Sequence, residues 1–181
     1  MLSKQPHTPL STSKFQIQSL ASGVPHMLAR RDTGSIIVIS SAAALVNVPN
    51  LADYVTTKQG VIGMAKSLAN ELAHHQIRVN VIAPGTVDTP MVTANTAQFQ
   101  LFRPDLTHPA VDDVADGFKR VNPMGRPWLQ PEEISQAVVH LASDDSRWIT
   151  GTVLPVDQGI SNHPSNSSGV CQPVRAVALT A

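Results

Sequence analysis

The chain is poor in the features that mark several specialised classes of protein. It has one cysteine, Cys171, which cannot close an internal disulfide and stands in a polar stretch without metal-ligand spacing. Aromatic residues make up 4% of the chain, with a single tyrosine among them, and lysine plus arginine balances aspartate plus glutamate at 13 each. With neither a basic excess nor a base-stacking platform, nucleic acid is not an expected partner. The longest apolar runs, such as "SIIVIS" and "AAALV", fall far short of the roughly 20 residues needed to span a bilayer, so no membrane partner is expected either. The opening "MLSKQPHTPLSTSK" lacks the apolar core of a secretory signal, which leaves the cytoplasm as the expected location. What remains, 181 residues with 42% hydrophobic content, suffices for one compact domain with a real core.

The organisation follows from changes of period. "GSIIVISS", Gly34 to Ser41, is a continuous β-branched run behind a glycine, the pattern of a strand buried on both faces of a parallel sheet. After it, Val61, Met64, Ala65, Leu68 and Leu72 recur at three- and four-residue intervals and predict an amphipathic helix from Leu51 to His75. Asn50 is its expected N-cap, with Asp53 supplying favourable charge in the first turn. "IRVNVIAPG", Ile77 to Gly85, then gives a second strand, so the order strand, helix, strand predicts a parallel βαβ unit with ligands off the carboxyl ends of the strands. Before it, Phe15 to Arg31 reads as a helix and residues 1–14 as unstructured. After it, Thr86 to Gln130 reads as a proline-studded loop too long to be idle. Pro131 and Glu132 open a further helix, "TGTVLPVDQG" holds a last short strand, and residues 160–181 read as a flexible tail. One domain, 15–159, with the 86–130 insertion, is the expected division.

The chemistry gathers at one rim of that unit. Tyr54 and Lys58 stand four residues apart, which in a helix puts their Cβ atoms about 5–6 Å from each other. Ser41 ends the preceding strand and joins them at the strand-to-helix edge. A phenol is a poor proton carrier at neutrality, but a cation within about 4–6 Å favours its ionised form. Such a phenol can exchange a proton with an alcohol or carbonyl oxygen that a serine hydroxyl holds in place.

Ser41 with Tyr54-x-x-x-Lys58, followed in order by "ANELAHHQIRVNVIAPGTVDTPM" and "LASDDSRWITGTVLPVDQG", resembles the short-chain dehydrogenase/reductase (SDR) family over about Gly34 to Gly159. The loop blocks "LFRPDL" and "PWLQPEEI" resemble its carveol-dehydrogenase-like, mycofactocin-coupled branch. The resemblance implies an α/β fold, here a partial doubly wound Rossmann-type parallel sheet made of the last three strands and their flanking helices. It implies NAD or NADP as cofactor and a small secondary alcohol or ketone as substrate. Tyr54 would be the general acid/base, and Lys58 would ease loss of its proton while binding the nicotinamide ribose. Ser41 would orient the substrate oxygen. Pro84, Gly85, Val87 and Thr89 would line the nicotinamide, and the 86–130 segment would be the substrate lid. The family's Gly-rich phosphate turn is not in this sequence, whose ten glycines include no G-x-G-x-x-G or G-x-x-x-G-x-G spacing. The N-terminal dinucleotide-binding half is therefore expected to be missing, with activity impaired or lost and the edge of the first strand left open. The position of the family's catalytic Asn falls at "STSKFQ", with Ser11 its expected occupant. The alternative expectation is a non-catalytic relict that self-associates, or associates with full-length relatives, through the helix 51–75; a homo-oligomer is expected on either reading.

Other candidates carry less. His74 and His75 are neighbours on a helix and point different ways, so a solvated helix end is expected and no metal site. Asp112 and Asp113 lack a strand to hold them as an acid/base pair, and Asp144 and Asp145 read as solvated surface. Arg78 and Asn80 are expected to serve the strand and its neighbours. Gly60 and Gly63, in "GVIG", are expected to allow close packing.

Overall fold

The computed structural model describes residues 9–30, 33–48, 51–93, 99–100 and 103–162. Among the described residues the α-helices and strands run in the order α1 (Pro9–Arg30), β1 (Gly34–Ile39), α2 (Ala43–Val46), α3 (Ala52–Leu72), β2 (Ile77–Pro84), α4 (Pro90–Thr93), α5 (Val111–Val121), α6 (Pro131–Ala142) and β3 (Val153–Val156). The three strands form one parallel sheet in the order β1-β2-β3. Gly34 pairs with Ile77 and Ile39 with Ile82, while Val81 to Pro84 pair with Val153 to Val156. The expected βαβ unit is present, with the expected α/β fold.

Alternation along β2 explains the layers. Ile77, Val79 and Val81 face a core filled by Val61, Ala65, Ala69 and Leu72 of α3, with Leu20, Val24, Met27 and Leu28 of α1 packed against it. Arg78 and Asn80 face the other way, toward α6 and the loop before β3. Arg78 donates from Nη1 to the Leu141 carbonyl at 2.9 Å and the Ser146 hydroxyl at 3.0 Å, and from Nη2 to the Ser143 carbonyl at 3.2 Å. A cation on the last carbonyls of a helix satisfies acceptors the helix cannot and complements its dipole. Both residues serve the strand's neighbours, as expected.

The outer side of β1 has no strand partner among the described residues. Gly34, Ser40 and Ala42 send their N–H groups toward β2, to the carbonyls of Gln76, Ile82 and Pro84. Strand alternation then turns the N–H and C=O of Ser35, Ile37 and Ile39 to the open edge. Side chains cover one end of it: the Ile39 carbonyl accepts from Gln16 Nε2 at 3.0 Å and from Lys58 Nζ at 3.2 Å.

Several expectations need correction. The first helix reaches back at least to Pro9, where the described residues start, six residues before Phe15 and inside the stretch read as unstructured. The N-cap of α3 is Leu51 rather than Asn50, which lies outside the described residues; Asp53 still serves the first turn, its Oδ1 accepting the Tyr54 N–H at 2.8 Å. The 86–130 segment is not a continuous loop: α5 crosses it, and Val114 and Phe118 bury against Phe99, with Val111 and Trp128 alongside. Asp113 is spent on the start of that helix, where its Oδ2 accepts the Ala110 N–H at 2.8 Å, so Asp112 and Asp113 are first-turn carboxylates. Finally, Gly60 and Gly63 are exposed on α3, and a Cβ at either would meet nothing within 4 Å, so no packing within the chain calls for them.

The helix from Pro131 and the last strand stand where expected. Residues 163–181, including Cys171, lie outside the described residues. Ile160–Asn162 is a short 3-10 turn, held by Asp157, whose carboxylate accepts the N–H groups of Gly159 and Ser161 at 2.9 Å each. His74 and His75 do not point apart as expected: on the exposed 3-10 turn after α3 their ring centroids are 3.8 Å apart with the planes tilted by 43°, and no group of three metal-ligating side chains occurs among the described residues. Asp144 and Asp145 are exposed at the turn after α6.

The small core around α5 gives a stability prediction. Phe118 is buried and meets Trp128 edge-on at 6.1 Å between ring centroids. Phe118→Ala should cost about 3–5 kcal/mol locally, read as faster amide exchange across Val111–Val121 with the β2 amides still protected.

Candidate active site

The site is built where β1 ends. The Ser40 hydroxyl donates to the Lys58 carbonyl at 2.8 Å, and Lys58 Nζ donates back to the Ile39 carbonyl at 3.2 Å, so strand end and helix are cross-tied. Gln59 adds a second tie, its Nε2 donating to the Ala44 carbonyl at 3.0 Å and Asn47 Oδ1 at 2.9 Å. These bonds fix the first two turns of α3 against the Ser41–Asn47 turn.

On that frame the ammonium of Lys58 lies 5.9 Å from the centroid of the Tyr54 ring. The helical pairing expected from the four-residue spacing is present. Lys58 is only 8% exposed, and burial pushes its ammonium below the ordinary lysine range. It makes one hydrogen bond among the described residues, to Ile39, out of the three an ammonium can donate. Ser41 Oγ accepts the Ala43 N–H at 3.2 Å, and its own O–H has no acceptor among the described residues. A donor on the strand end, a phenol on the helix and a cation beside it make a set that can hold and protonate an oxygen.

The second wall is the end of β2. Ala42 N–H donates to the Pro84 carbonyl at 2.8 Å, which sets the serine turn beside Pro84, and Gly85 N–H donates to the Val156 carbonyl at 2.9 Å. Gly85 has to be glycine for an internal reason, since a Cβ there would come within 2.9 Å of the Asp157 Cα. Beyond it Val87 bridges to Leu129 in parallel register, with the Asp88 and Leu129 N–H groups donating to the Leu129 and Thr86 carbonyls at 2.8 Å each. Thr89 donates from Oγ1 to the Val87 carbonyl at 3.4 Å, while its own carbonyl starts α4. Ser41, Pro84 and Gly85 thus adjoin directly, with Val87 and Thr89 following on the loop. The Ser11 side chain lies outside the described residues, so nothing is assigned to it.

Sequence reasoning missed Gln16, which reaches the same Ile39 carbonyl as Lys58. It falls in "STSKFQ", the segment expected to carry an amide, five residues from the position singled out. The buried desolvation of Lys58 has a consequence for stability. An ammonium whose folded pKa is lowered is disfavoured by folding, so the unfolded chain binds the extra proton in the window below 10.5 and stability rises with pH there. At neutral pH, Lys58→Met should therefore raise Tm, and the rise should disappear as pH approaches the unfolded lysine value. A scanning calorimetry series over pH checks this.

Comparison with known proteins agrees with the geometry. A family profile described as enoyl-(acyl carrier protein) reductase matches residues 10–161. A (-)-trans-carveol dehydrogenase of Rhodococcus erythropolis is 41% identical over 136 residues, which are 75% of this chain and 49% of that protein. The crystal structure of a carveol dehydrogenase from Mycobacterium avium in complex with NAD is similar at a TM-score of 0.75 and 44% identity, covering 78% of this chain and 50% of that one. An actinorhodin polyketide ketoreductase with NADPH is similar at a TM-score of 0.70 and 32% identity, covering 81% of this chain and 53% of the other. The chain spans about half the length of the curated relatives it matches. No helix among the described residues is long and apolar enough to cross a membrane. With a family profile over residues 10–161 and relatives about 40% identical over three quarters of its length, the chain belongs to the short-chain dehydrogenase/reductase family.

Proposed function

We propose that this chain carries the proton-handling half of a nicotinamide-dependent oxidoreductase acting on a small secondary alcohol or ketone. The observation that carries the reading is the Lys58 ammonium, anchored to the strand end that leads into Ser41 and lying 5.9 Å from the Tyr54 ring. The bound relatives hold NAD or NADPH, and the residues here fit one end of such a cofactor. Lys58 has donors to spare for a ribose diol, beside the Pro84–Gly85 corner and the Val87–Thr89 loop. For the pyrophosphate end the sequence offers no Gly-rich turn, so binding by the isolated chain should be weak. A nicotinamide supplies the hydride acceptor or donor at its C4 carbon. The chain's own residues do the rest: Ser41 donates to the substrate oxygen, Tyr54 takes or gives its proton, and Lys58 stabilises the phenolate that results.

Titrating the folded chain with either reduced nicotinamide dinucleotide at millimolar concentration tests this, by fluorescence or calorimetry. A saturable signal that Lys58→Met weakens is expected. No signal from folded protein would end the enzymatic reading of this chain.

A second reading is favoured by the open side of α3, where Gly60 and Gly63 meet nothing within 4 Å, and by Phe15 and Ile17 of α1, 70% and 51% exposed. On that reading the chain is a non-catalytic partner that associates with itself or with full-length relatives. A stable monomer in sedimentation at micromolar concentration would refute it.

A further inference from the structure

Buried polar atoms without a partner are rare and costly, and here they cluster. Of the four such side-chain atoms among the described residues, three belong to Asn122 and Gln158: Asn122 Oδ1, Gln158 Nε2 and Gln158 Oε1. Asn122 is 2% exposed and Gln158 is 6% exposed. The two come from segments that touch, since Met124 N–H donates to the Gln158 carbonyl at 3.3 Å and Pro123 lies against Gly159. Asn122 uses its Nδ2 on the Arg126 and Pro127 carbonyls at 2.9 and 3.0 Å, which leaves only its oxygen unmet. Gln158 has no side-chain hydrogen bond at all and holds a left-handed backbone, φ 60°, that most side chains avoid. A strained backbone carrying an unmet buried amide costs stability twice, and such costs persist where a ligand repays them.

Position ties this corner to the candidate active site. Gln158 directly follows Asp157, whose backbone packs on Gly85, and is separated by Gly159 alone from the 3-10 turn that packs on α2, just beyond Ser41. We propose that Asn122 and Gln158 form a specificity pocket for a second, neutral hydroxyl of the substrate, separate from the oxygen that reacts. The inference rests on the proton-transfer reading of Ser41 and Tyr54. Gln158 Nε2 donates to the incoming oxygen, and that hydroxyl's proton goes to Gln158 Oε1 or Asn122 Oδ1. A hydroxyl suits the set because it both donates and accepts. An anion does not, because the adjacent charge is the Asp157 carboxylate and the nearby Arg126 guanidinium turns to Glu133 at 3.6 Å.

The test uses cyclohexanol, cyclohexane-1,2-diol and cyclohexane-1,4-diol as probes, with affinity measured by NMR titration of the full chain without nicotinamide. At least one diol should bind about 10-fold or more tightly than cyclohexanol, the effect of one added buried hydrogen-bonded group. Gln158→Met, which keeps the volume and loses the amide, should bring the preference to within about 2-fold. Gln158→Gly should do the same while raising Tm, because glycine relieves the left-handed strain, so loss of the preference cannot be put down to unfolding. Equal binding of all three probes to the natural chain overturns the assignment, as does a diol preference that survives both variants. Tyr54→Phe should leave the preference intact. A natural chain that fails to discriminate while Tyr54→Phe has lost turnover would sink this pocket and leave the proton-transfer reading standing.

Discussion

Tyr54→Phe should lower turnover of a secondary alcohol by about 10²–10⁴-fold, the range general acid/base catalysis contributes. The substitution removes one oxygen from a half-buried ring, and no hydrogen bond from that oxygen to a described residue is lost with it, so the fold should be unchanged. Binding of reduced nicotinamide should also hold within about 2-fold, because Lys58 keeps its anchor on Ile39. The loss should therefore appear in kcat and not in the cofactor titration, which is how removal of an interaction made only in the transition state reads. Following the absorbance of reduced nicotinamide as it forms from a secondary alcohol checks this. A drop of less than about 10-fold would mean another group moves the proton.

Asn80→Leu should be among the most damaging substitutions for stability. Asn80 is fully buried, donates from Nδ2 to the Ile149 carbonyl at 2.8 Å, and accepts the Thr152 N–H on Oδ1 at 3.1 Å. It thereby holds both ends of the turn that leads into β3. Leucine fills the space, leaves the Thr152 N–H unpaired and leaves the Ile149 carbonyl with only the long 3.5 Å bond from Arg78 Nη1, at up to about 1–3 kcal/mol each, so a total of about 2–6 kcal/mol is expected from urea unfolding. That is a large part of an ordinary domain's stability. Because β3 carries Val156, whose carbonyl accepts the Gly85 N–H, and leads into Asp157, the loss should reach the Pro84–Gly85 corner as well. A change below about 1 kcal/mol would show that water replaces both bonds and that the turn does not depend on Asn80.

The sheet and the tyrosine-lysine pair are legible in the sequence because their signals are local and unambiguous. "SIIVIS" and "IRVNVIAP" can form little else than buried strands, and α3 between them has a long apolar stripe that puts Tyr54 and Lys58 on neighbouring turns. The lid helix was legible in principle: Val111, Val114, Phe118 and Val121 recur at three- and four-residue intervals. Flanking prolines at 109 and 123 outweighed that stripe in the reading, although both stand outside the helix and bound it. Gln158 gave no signal because its left-handed backbone is imposed by the Asp157 turn around it, and no local preference of glutamine announces such a conformation. Gln16 was equally silent, since its role depends on a carbonyl 23 residues away.

The most direct test is an NMR titration of the chain with reduced nicotinamide mononucleotide, which carries only the end of the cofactor these residues fit. Tyr54 is the one tyrosine, so its ring signals need no further assignment, and Lys58 Nζ is identified by its loss in Lys58→Met. Both signals should shift together and saturate together, with Lys119 on the lid unmoved. Shifts at Lys119 or elsewhere with Tyr54 and Lys58 unchanged would contradict a nicotinamide site at this rim.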